Sequence, residues 1–191
     1  MAKKPPQPLD RDKLLNVALR ALGSRAHSSG ELREKLRRRS QSEADVDAVL
    51  AKLKESGYLN DRRFAENFAA TRLEDQGLGK MRVLRDLRQR RVAPKLAEQV
   101  TDAAYQDTNE GDLIEEFLRR KYRGKKLNEF LSEEKNLAAA FRRLRYAGFS
   151  AGQSIRVLKR FANQPEVLDA LESESSEPSP DENRDKYSRD D

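Results

Sequence analysis

The 191-residue sequence contains no cysteine and only one histidine, His27. Without cysteine the chain can form no disulfide, which is consistent with a reducing compartment. A structural zinc site normally takes four Cys, His or carboxylate ligands, so the same scarcity argues strongly against zinc. His27 comes just before a predicted helix and has no Cys or His neighbour, so we expect a turn residue rather than a ligand or a catalytic group.

Long apolar runs are also missing. The first ten residues, MAKKPPQPLD, lack the apolar stretch of a signal peptide, and no later segment is long and apolar enough to span a bilayer. The sequence therefore predicts a soluble, cytoplasmic protein with no membrane partner.

Hydrophobic residues make up only 36% of the sequence, against 38% charged residues. This balance argues against one thick core and favours exposed helices that each carry a single apolar stripe. Proline and glycine are sparse along the middle of the chain, where the helix formers Ala, Leu, Arg, Lys, Glu and Gln dominate. We predict an all-α fold.

The net charge of +6 is unevenly distributed. Residues 171–191 hold eight acids and three bases, a net charge of −5, so residues 1–170 carry +11. Because this tail is polar, interrupted by proline and nearly free of apolar residues, we predict that it is disordered. It either solubilises the protein or competes with an acidic partner for the basic body, and we favour the first interpretation.

Helix boundaries are clearly marked in the first part of the chain. Asp10 is placed to cap a first helix, Ser28 and Glu31 have the spacing of a capping box, and Gly57 is a stop signal after a third helix. Apolar residues recur at helical spacing in each segment, which predicts one buried face per helix. In the first helix this face comprises Leu15, Ala18, Leu19 and Leu22.

The string GYLNDRRFAENF (57–68) is the most distinctive in the sequence and introduces a second set of helices. We expect Tyr58 and Leu59 to pack the corner between two units, and Asn60 or Asp61 to cap the next helix. Further on, Pro94 suits the first turn of a sixth helix, and SAGQ (150–153) predicts another capping box. Additional stop signals are Gly77, Gly124 and Gly148.

A three-helix pattern thus occurs three times. With Leu36, Leu87 and Leu144 in register, the middle helices are 51 and 57 residues apart, and the longer interval contains the insertion GKKLNEFL (124–131). Because one unit buries little by itself, stacked units are needed for a continuous interior. We predict nine helices in an elongated, curved array of three tandem three-helix repeats. The predicted segments are a flexible N-terminal segment (1–9), repeats at 10–59, 60–108 and 109–170, and the disordered acidic tail (171–191).

Each middle helix is predicted to end in a cluster of arginines, within LREKLRRR (32–39), LRDLRQRRV (84–92) and AFRRLRYAGF (140–149). A single cluster is explained by the helix dipole, which favours cations at a C-terminus. Three clusters at equivalent positions of the repeats predict a basic stripe. The planar guanidinium of arginine can bind phosphate or carboxylate through two hydrogen bonds at once, which lysine cannot do. The candidate partner-binding residues are Arg37, Arg38, Arg39, Arg88, Arg90, Arg91, Arg142, Arg143 and Arg145.

No catalytic constellation accompanies these clusters. The string QGLGKM (76–81) has a passing likeness to a phosphate-binding loop, but Met81 follows Lys80 where Ser or Thr is needed, so a turn explains it better. Glu31 and Glu34 alternate with arginines and are expected to be solvated helical charges. We predict no enzymatic activity, no cofactor and no metal.

The sequence resembles the RecX regulatory proteins, bacterial modulators of the RecA recombinase, over most of residues 12–162. The resemblance is carried by ALRALGSRAHSSGELREKL (18–36), LKESGYLNDRRFAENF (53–68) and GKMRVLRDLRQRRV (79–92), and more weakly by LRYAGFSAGQSIRVL (144–158). It implies tandem three-helix repeats that lie in the groove of the RecA–DNA filament.

The resemblance further implies a non-enzymatic regulator that binds the RecA filament on single-stranded DNA. Such a protein is expected to restrain filament growth, strand exchange and the ATPase and coprotease activities of RecA, and so to act in recombination, DNA repair and the SOS response. The resemblance supplies no catalytic positions, so the nine arginines remain the candidate contacts. We expect the protein to be a monomer. The alternative is a helical protein that binds DNA directly and weakly, with arginines on phosphates, and acts without RecA.

Overall fold

The computed structural model describes residues 9–40, 42–162 and 168. These residues contain ten α-helices and no strand, which confirms the predicted all-α fold of tandem three-helix repeats. The elongation and curvature of the fold remain predictions. Most of the expected flexible N-terminal segment and the whole acidic tail lie outside the described residues. The helices are α1 (Arg11–Ser24), α2 (Ser29–Arg37), α3 (Glu43–Glu55), α4 (Asp61–Glu74), α5 (Lys80–Gln89), α6 (Pro94–Tyr105), α7 (Glu110–Lys121), α8 (Leu127–Leu131), α9 (Glu134–Tyr146) and α10 (Ala151–Leu158).

The chain divides into two compact units, one that ends at Thr108 and one that begins at Asn109. The first unit contains α1 to α6, and the second contains α7 to α10. None of the helices in the described part of the chain has the length and apolar character that crossing a membrane requires.

The register of the repeats rests on three leucines. Leu36 in α2, Leu87 in α5 and Leu144 in α9 are all fully buried. The side chains that the sequence aligned as equivalent therefore occupy core positions of the middle helix in each repeat.

The insertion at residues 124–131 forms a helix that the sequence analysis did not predict. The chain reverses at Gly124, where φ is +84°, and then forms the five-residue helix α8. Leu131 of α8 is fully buried, and the ring of Phe130 lies 4.9 Å from that of Tyr122. The prediction of nine helices was therefore wrong, because a segment assigned to a longer connection contains enough apolar side chains to form a helix of its own.

Helix starts follow the predicted caps. The side chain of Asp10 accepts a hydrogen bond from the N–H of Lys13, and Asn60 caps α4 by accepting one from Arg63. Asp61 thereby becomes the first residue of its helix, and its carboxylate accepts the N–H of Ser29 at 2.6 Å. These contacts satisfy N–H groups that have no partner inside a helix.

The two predicted capping boxes differ. The box of Ser28 and Glu31 is complete, with both reciprocal hydrogen bonds. In the second unit Ser150 accepts from the N–H of Gln153, but its own N–H donates to Glu110 at 2.6 Å. Since one N–H is already used, the SAGQ string forms half of the predicted motif, and a carboxylate of α7 completes the cap.

Helix stops also follow the prediction. The four glycines named as stop signals all adopt positive φ, a conformation that side chains disfavour and that ends a helix readily. Pro94 is the first residue of α6, where its missing N–H costs nothing. The four glycines are Gly57 (72°), Gly77 (56°), Gly124 (84°) and Gly148 (90°).

The buried face of α1 differs from the predicted one. The structure buries Leu14, Ala18 and Ala21, whereas Leu19 is 37% exposed. Both sets have helical spacing, and Leu15 and Leu22 of the predicted set pack against the core as partly buried side chains. The packed structure buries the stripe that begins at Leu14. Helical spacing alone does not show which of the two stripes is buried.

The corner after α3 is packed by only one of its two expected residues. Leu59 is buried and joins the core of the first unit, but Tyr58 is 63% exposed. Most of the surface of Tyr58 therefore remains accessible to solvent at this corner.

Candidate partner-binding surface

The three arginine clusters lie at two kinds of position. Arg37 is the last residue of α2, and Arg90 follows the last residue of α5, so the first two clusters extend past their helix ends. The third cluster, Arg142, Arg143 and Arg145, lies entirely within α9. The first two clusters belong to the first unit and the third to the second unit.

Glu34 brings the first two clusters together. Its two carboxylate oxygens lie 3.3 Å from the Arg38 guanidinium and 3.8 Å from that of Arg91. The side chains of Arg38 and Arg91 are nevertheless 76% and 57% exposed. Because such exposed ion pairs contribute only about 0–1 kcal/mol, an external carboxylate or phosphate can compete for both guanidinium groups.

The beginning of α2 is fixed against the end of α5. The hydroxyl of Ser28 donates a hydrogen bond to the carbonyl of Arg90, and Glu31 lies 2.8 Å from the Arg90 guanidinium. A side-chain carbon at Gly30 would lie 2.4 Å from the carbonyl oxygen of Arg91. This close approach sets the position of the second cluster relative to α2.

Glu31 was predicted to be a solvated charge, and that prediction was wrong. Only 15% of its side chain is exposed, and it bonds to the guanidinium groups of both Arg25 and Arg90. Burial raises the pKa of Glu31, but these hydrogen bonds and charges outweigh burial, so its pKa lies below the usual value. Glu34 is more exposed, at 35% of its side chain.

Other arginines of the first unit have acidic neighbours as well. Arg37 pairs with Glu43 at 2.7 Å, and Arg88 pairs with Glu98 at 2.8 Å. All four side chains are about half exposed, so their guanidinium groups keep N–H donors that face solvent. For Arg39 the described residues provide no side-chain partner.

Two of the three arginines in the third cluster make contacts within their own unit. Arg143 lies over the ring of Tyr122 and bonds to its hydroxyl at 3.4 Å, and Arg145 donates to the carbonyl of Phe149 at 2.6 Å. Both side chains therefore tie α9 to neighbouring segments of the second unit. Arg142 is exposed and has no partner among the residues that the structure describes.

His27 lies in the connection between α1 and α2, as predicted for a turn residue. Its Nδ1 lies 2.9 Å from the carbonyl oxygen of Arg25, which can only accept, so Nδ1 carries the proton. Burial lowers the pKa of His27 below its ordinary value. No group of three or more His, Asp or Glu side chains that could hold a metal ion occurs within the described ranges.

Comparison with known proteins gives consistent matches. A family model described as the first three-helix domain of RecX matches residues 15–53, and one described as the second matches residues 60–100. The "Regulatory protein RecX" of Prosthecochloris aestuarii is 37% identical over 129 residues, which cover 64% of this chain and 84% of that protein. The chain belongs to the RecX regulatory protein family.

Matches to other members of the family cover different shares of the chain. The chain matches the RecX of Chlorobium phaeobacteroides at 35% identity over 91 residues, 48% of this chain and 60% of that relative. The crystal structure of RecX from Lactobacillus salivarius has the same fold, with a TM-score of 0.59 and 19% identity over 79% of this chain and 96% of that one. Both RecX domain matches lie in the first unit and include the first two arginine clusters.

Proposed function

We propose that this RecX-family chain regulates the RecA recombinase by binding RecA filaments on single-stranded DNA. It restrains filament growth, strand exchange, ATP hydrolysis and coprotease activity, and so acts in the bacterial cytoplasm in recombination, DNA repair and the SOS response. The observation that supports this most is family membership, since the two RecX domain matches hold six of the nine candidate arginines.

The proposed contact surface centres on Glu34 and the exposed guanidinium groups beside it. Arg38 and Arg91 approach this carboxylate from two different repeats, so one anionic group of a partner can engage both clusters at once. Arg39 adds a guanidinium with no partner among the described residues. Several such contacts along a polymer give high avidity without a deep pocket.

In the second unit we propose Arg142 as the main contact of the third cluster. Arg143 and Arg145 are partly committed to Tyr122 and Phe149, whereas the guanidinium of Arg142 is available. The protein acts as a monomer and without catalysis, because binding along the filament is sufficient to restrain it.

The test is a titration of RecA ATP hydrolysis on single-stranded DNA. Wild-type protein is expected to suppress hydrolysis at low stoichiometry, and the Arg88→Glu/Arg91→Glu variant to bind filaments about tenfold more weakly or worse. The matched control is Lys54→Glu/Arg62→Glu, which makes the same charge change at exposed positions of the first unit outside the clusters. Melting temperatures of both variants are expected to stay close to wild type, because the ion pairs lost are exposed.

The competing function, direct DNA binding without RecA, makes a different prediction. Binding through about six phosphates weakens steeply and linearly in the logarithm of salt concentration, whether or not RecA is present. The regulator is instead expected to bind RecA-coated strands much more tightly than bare ones. Equal affinity for both, with RecA hydrolysis unaffected, would contradict the proposed function.

A further inference from the structure

A groove in the first unit runs between the end of α1 and the exposed face of α4. One segment of the groove, with a volume of about 450 Å³, is lined by Leu19, Leu22, Tyr58, Arg63 and Phe64 among others. A second segment of about 370 Å³ continues along α4. The two segments share Ala26, Phe64 and Asn67, so they form one feature, called here the α1–α4 groove.

The α1–α4 groove explains the most distinctive string in the sequence. Of residues 57–68, six line it: Tyr58, Asn60, Arg63, Phe64, Asn67 and Phe68. Leu59 and Ala65 of this string are buried, whereas Phe64 and Phe68 pack against the core of the second repeat and stay partly exposed. The fold therefore accounts fully for the buried positions and only in part for the aromatic ones, which also line the groove.

Apolar side chains remain accessible in the α1–α4 groove. Tyr58 is 63% exposed and Leu19 is 37% exposed, while Phe64 and Phe68 are half-buried and stack with ring centroids 6.0 Å apart. A concave surface with several accessible aromatic and aliphatic groups is typical of a protein-binding site. Leu19 was expected on the buried face of α1 and Tyr58 in the corner between two units, and their exposure fits this, because a partner can bury what the chain itself does not.

The charge of the α1–α4 groove is of one sign. No aspartate or glutamate is found among the residues that line its two segments, all of which the structure describes, whereas Arg63 lines one segment and Arg72 the other. These arginines are nine residues apart in α4, about 13 Å along the helix axis. Arg72 is held by the Phe68 ring at 4.9 Å and by Asp86 at 3.9 Å, while Arg63 donates to the carbonyl of Gly57 at 3.3 Å.

The dimensions suit a helix. The 14 residues of α4 extend for about 21 Å, and an amphipathic helix laid beside them presents apolar side chains at each turn. Carboxylates placed to reach Arg63 and Arg72 would then lie on either side of its apolar face.

We propose that the α1–α4 groove binds an amphipathic helical segment of a protein partner, whose apolar face covers Tyr58, Leu19 and Phe64 and whose carboxylates pair with Arg63 and Arg72. Nucleic acid fits less well, because the floor of the groove is apolar and offers accessible side chains that a helix with an apolar face can cover. The assignment of this segment to RecA rests on the proposed function. The apolar and acidic character of the segment does not rest on it.

The test uses the full chain and a stapled amphipathic peptide of about 16 residues, with a leucine face and two glutamates about nine positions apart. The control peptide has lysines in place of both glutamates. Binding of the glutamate peptide is expected, at least about tenfold tighter than that of the lysine peptide. Equal affinities, or no binding of the glutamate peptide, would overturn the proposal.

Matched variants locate the binding. Tyr58→Asp is expected to weaken binding of the glutamate peptide about tenfold or more, whereas Met81→Asp, at an equally exposed apolar residue outside the groove, changes it less than about twofold. Arg63→Glu is likewise compared with Arg62→Glu, its exposed neighbour that does not line the groove. Equal effects within both pairs, with unchanged circular dichroism, would refute a site in the α1–α4 groove.

A competition experiment tests the assignment of the bound segment to RecA separately from the binding site itself. RecA filaments on single-stranded DNA are expected to displace the glutamate peptide from wild-type protein. If the peptide binds the groove and filaments do not displace it, the groove proposal stands and its assignment to RecA fails. Displacement by oligothymidylate alone, or self-association that Tyr58→Asp abolishes, would show nucleic acid or a second copy in the groove and overturn the proposal.

Discussion

The guanidinium of Arg90 lies 2.8 Å from the carboxylate of Glu31, across a sequence separation of 59 residues. Glu31 belongs to the capping box of α2 in the first repeat, and Arg90 follows the last residue of α5 in the second. The same carboxylate also bonds to Arg25 and to the N–H of Ser28. One largely buried side chain therefore caps a helix and joins two repeats.

Glu31→Ala should lower the free energy of unfolding by about 1–3 kcal/mol, because it removes a cap and leaves the half-buried Arg90 without its partner. The measurement is urea denaturation at neutral pH. Glu43→Ala is the control, since Glu43 also pairs with two arginines but is about half exposed, and it should cost clearly less stability than Glu31→Ala. Equal losses for the two variants would show that Glu31 has no special role between the repeats.

Gly30→Ala should destabilise the first unit, because the added carbon would lie 2.4 Å from the Arg91 carbonyl oxygen and 2.5 Å from the Arg91 Cβ. Backbone atoms cannot move aside cheaply, so we expect a loss of about 1–3 kcal/mol in thermal or urea denaturation.

The control for this substitution is Gly152→Ala. Gly152 is the second residue of α10, as Gly30 is the second residue of α2, and nothing lies within 4 Å of its added carbon. Alanine should be neutral there or stabilise by up to about 1 kcal/mol, since it is the better helix former. A similar response of both glycines would contradict the close approach of α2 to Arg91.

Local features of this fold could be predicted from the sequence, and contacts between helices could not. Asp10, Gly57 and Pro94 act within one turn of their own helix, so their roles follow from residue type and spacing. The bonds from Ser28 and Glu31 to Arg90 depend on how two repeats pack, which no local pattern encodes. For that reason Glu31 was taken for a solvated charge.

The candidate surface shows the same division. The arginine clusters were visible as a recurring pattern, but the position of Glu34 between Arg38 and Arg91 depends on how the residues that follow α5 meet α2. The α1–α4 groove was missed because Leu19 and Tyr58 have the apolar character of core residues. Hydrophobic periodicity identifies side chains that avoid water and does not say whether the chain or a partner covers them.

Leu14→Ala and Leu19→Ala should differ strongly in stability. Leu14 is fully buried, so its truncation should cost about 2–5 kcal/mol. Leu19 lines the α1–α4 groove and is 37% exposed, so the same truncation should cost less than about 1 kcal/mol. Urea denaturation of both variants checks this, and a large loss for Leu19→Ala would return this leucine to the core that the sequence first predicted.

Stability should fall as the pH is lowered from about 7.5 to about 5.5, through the titration of His27. Burial lowers the pKa of this imidazole below the ordinary value of 6.5. The unfolded chain therefore binds a proton at a higher pH than the folded chain, so the free energy of unfolding decreases as pH falls through 6.5 and continues to fall until the folded pKa is reached. His27 is the only histidine, so His27→Gln should remove most of this dependence in urea titrations. An unchanged slope in the variant would place the titrating group elsewhere, and a stability that rises on acidification would reverse the sign assigned to His27.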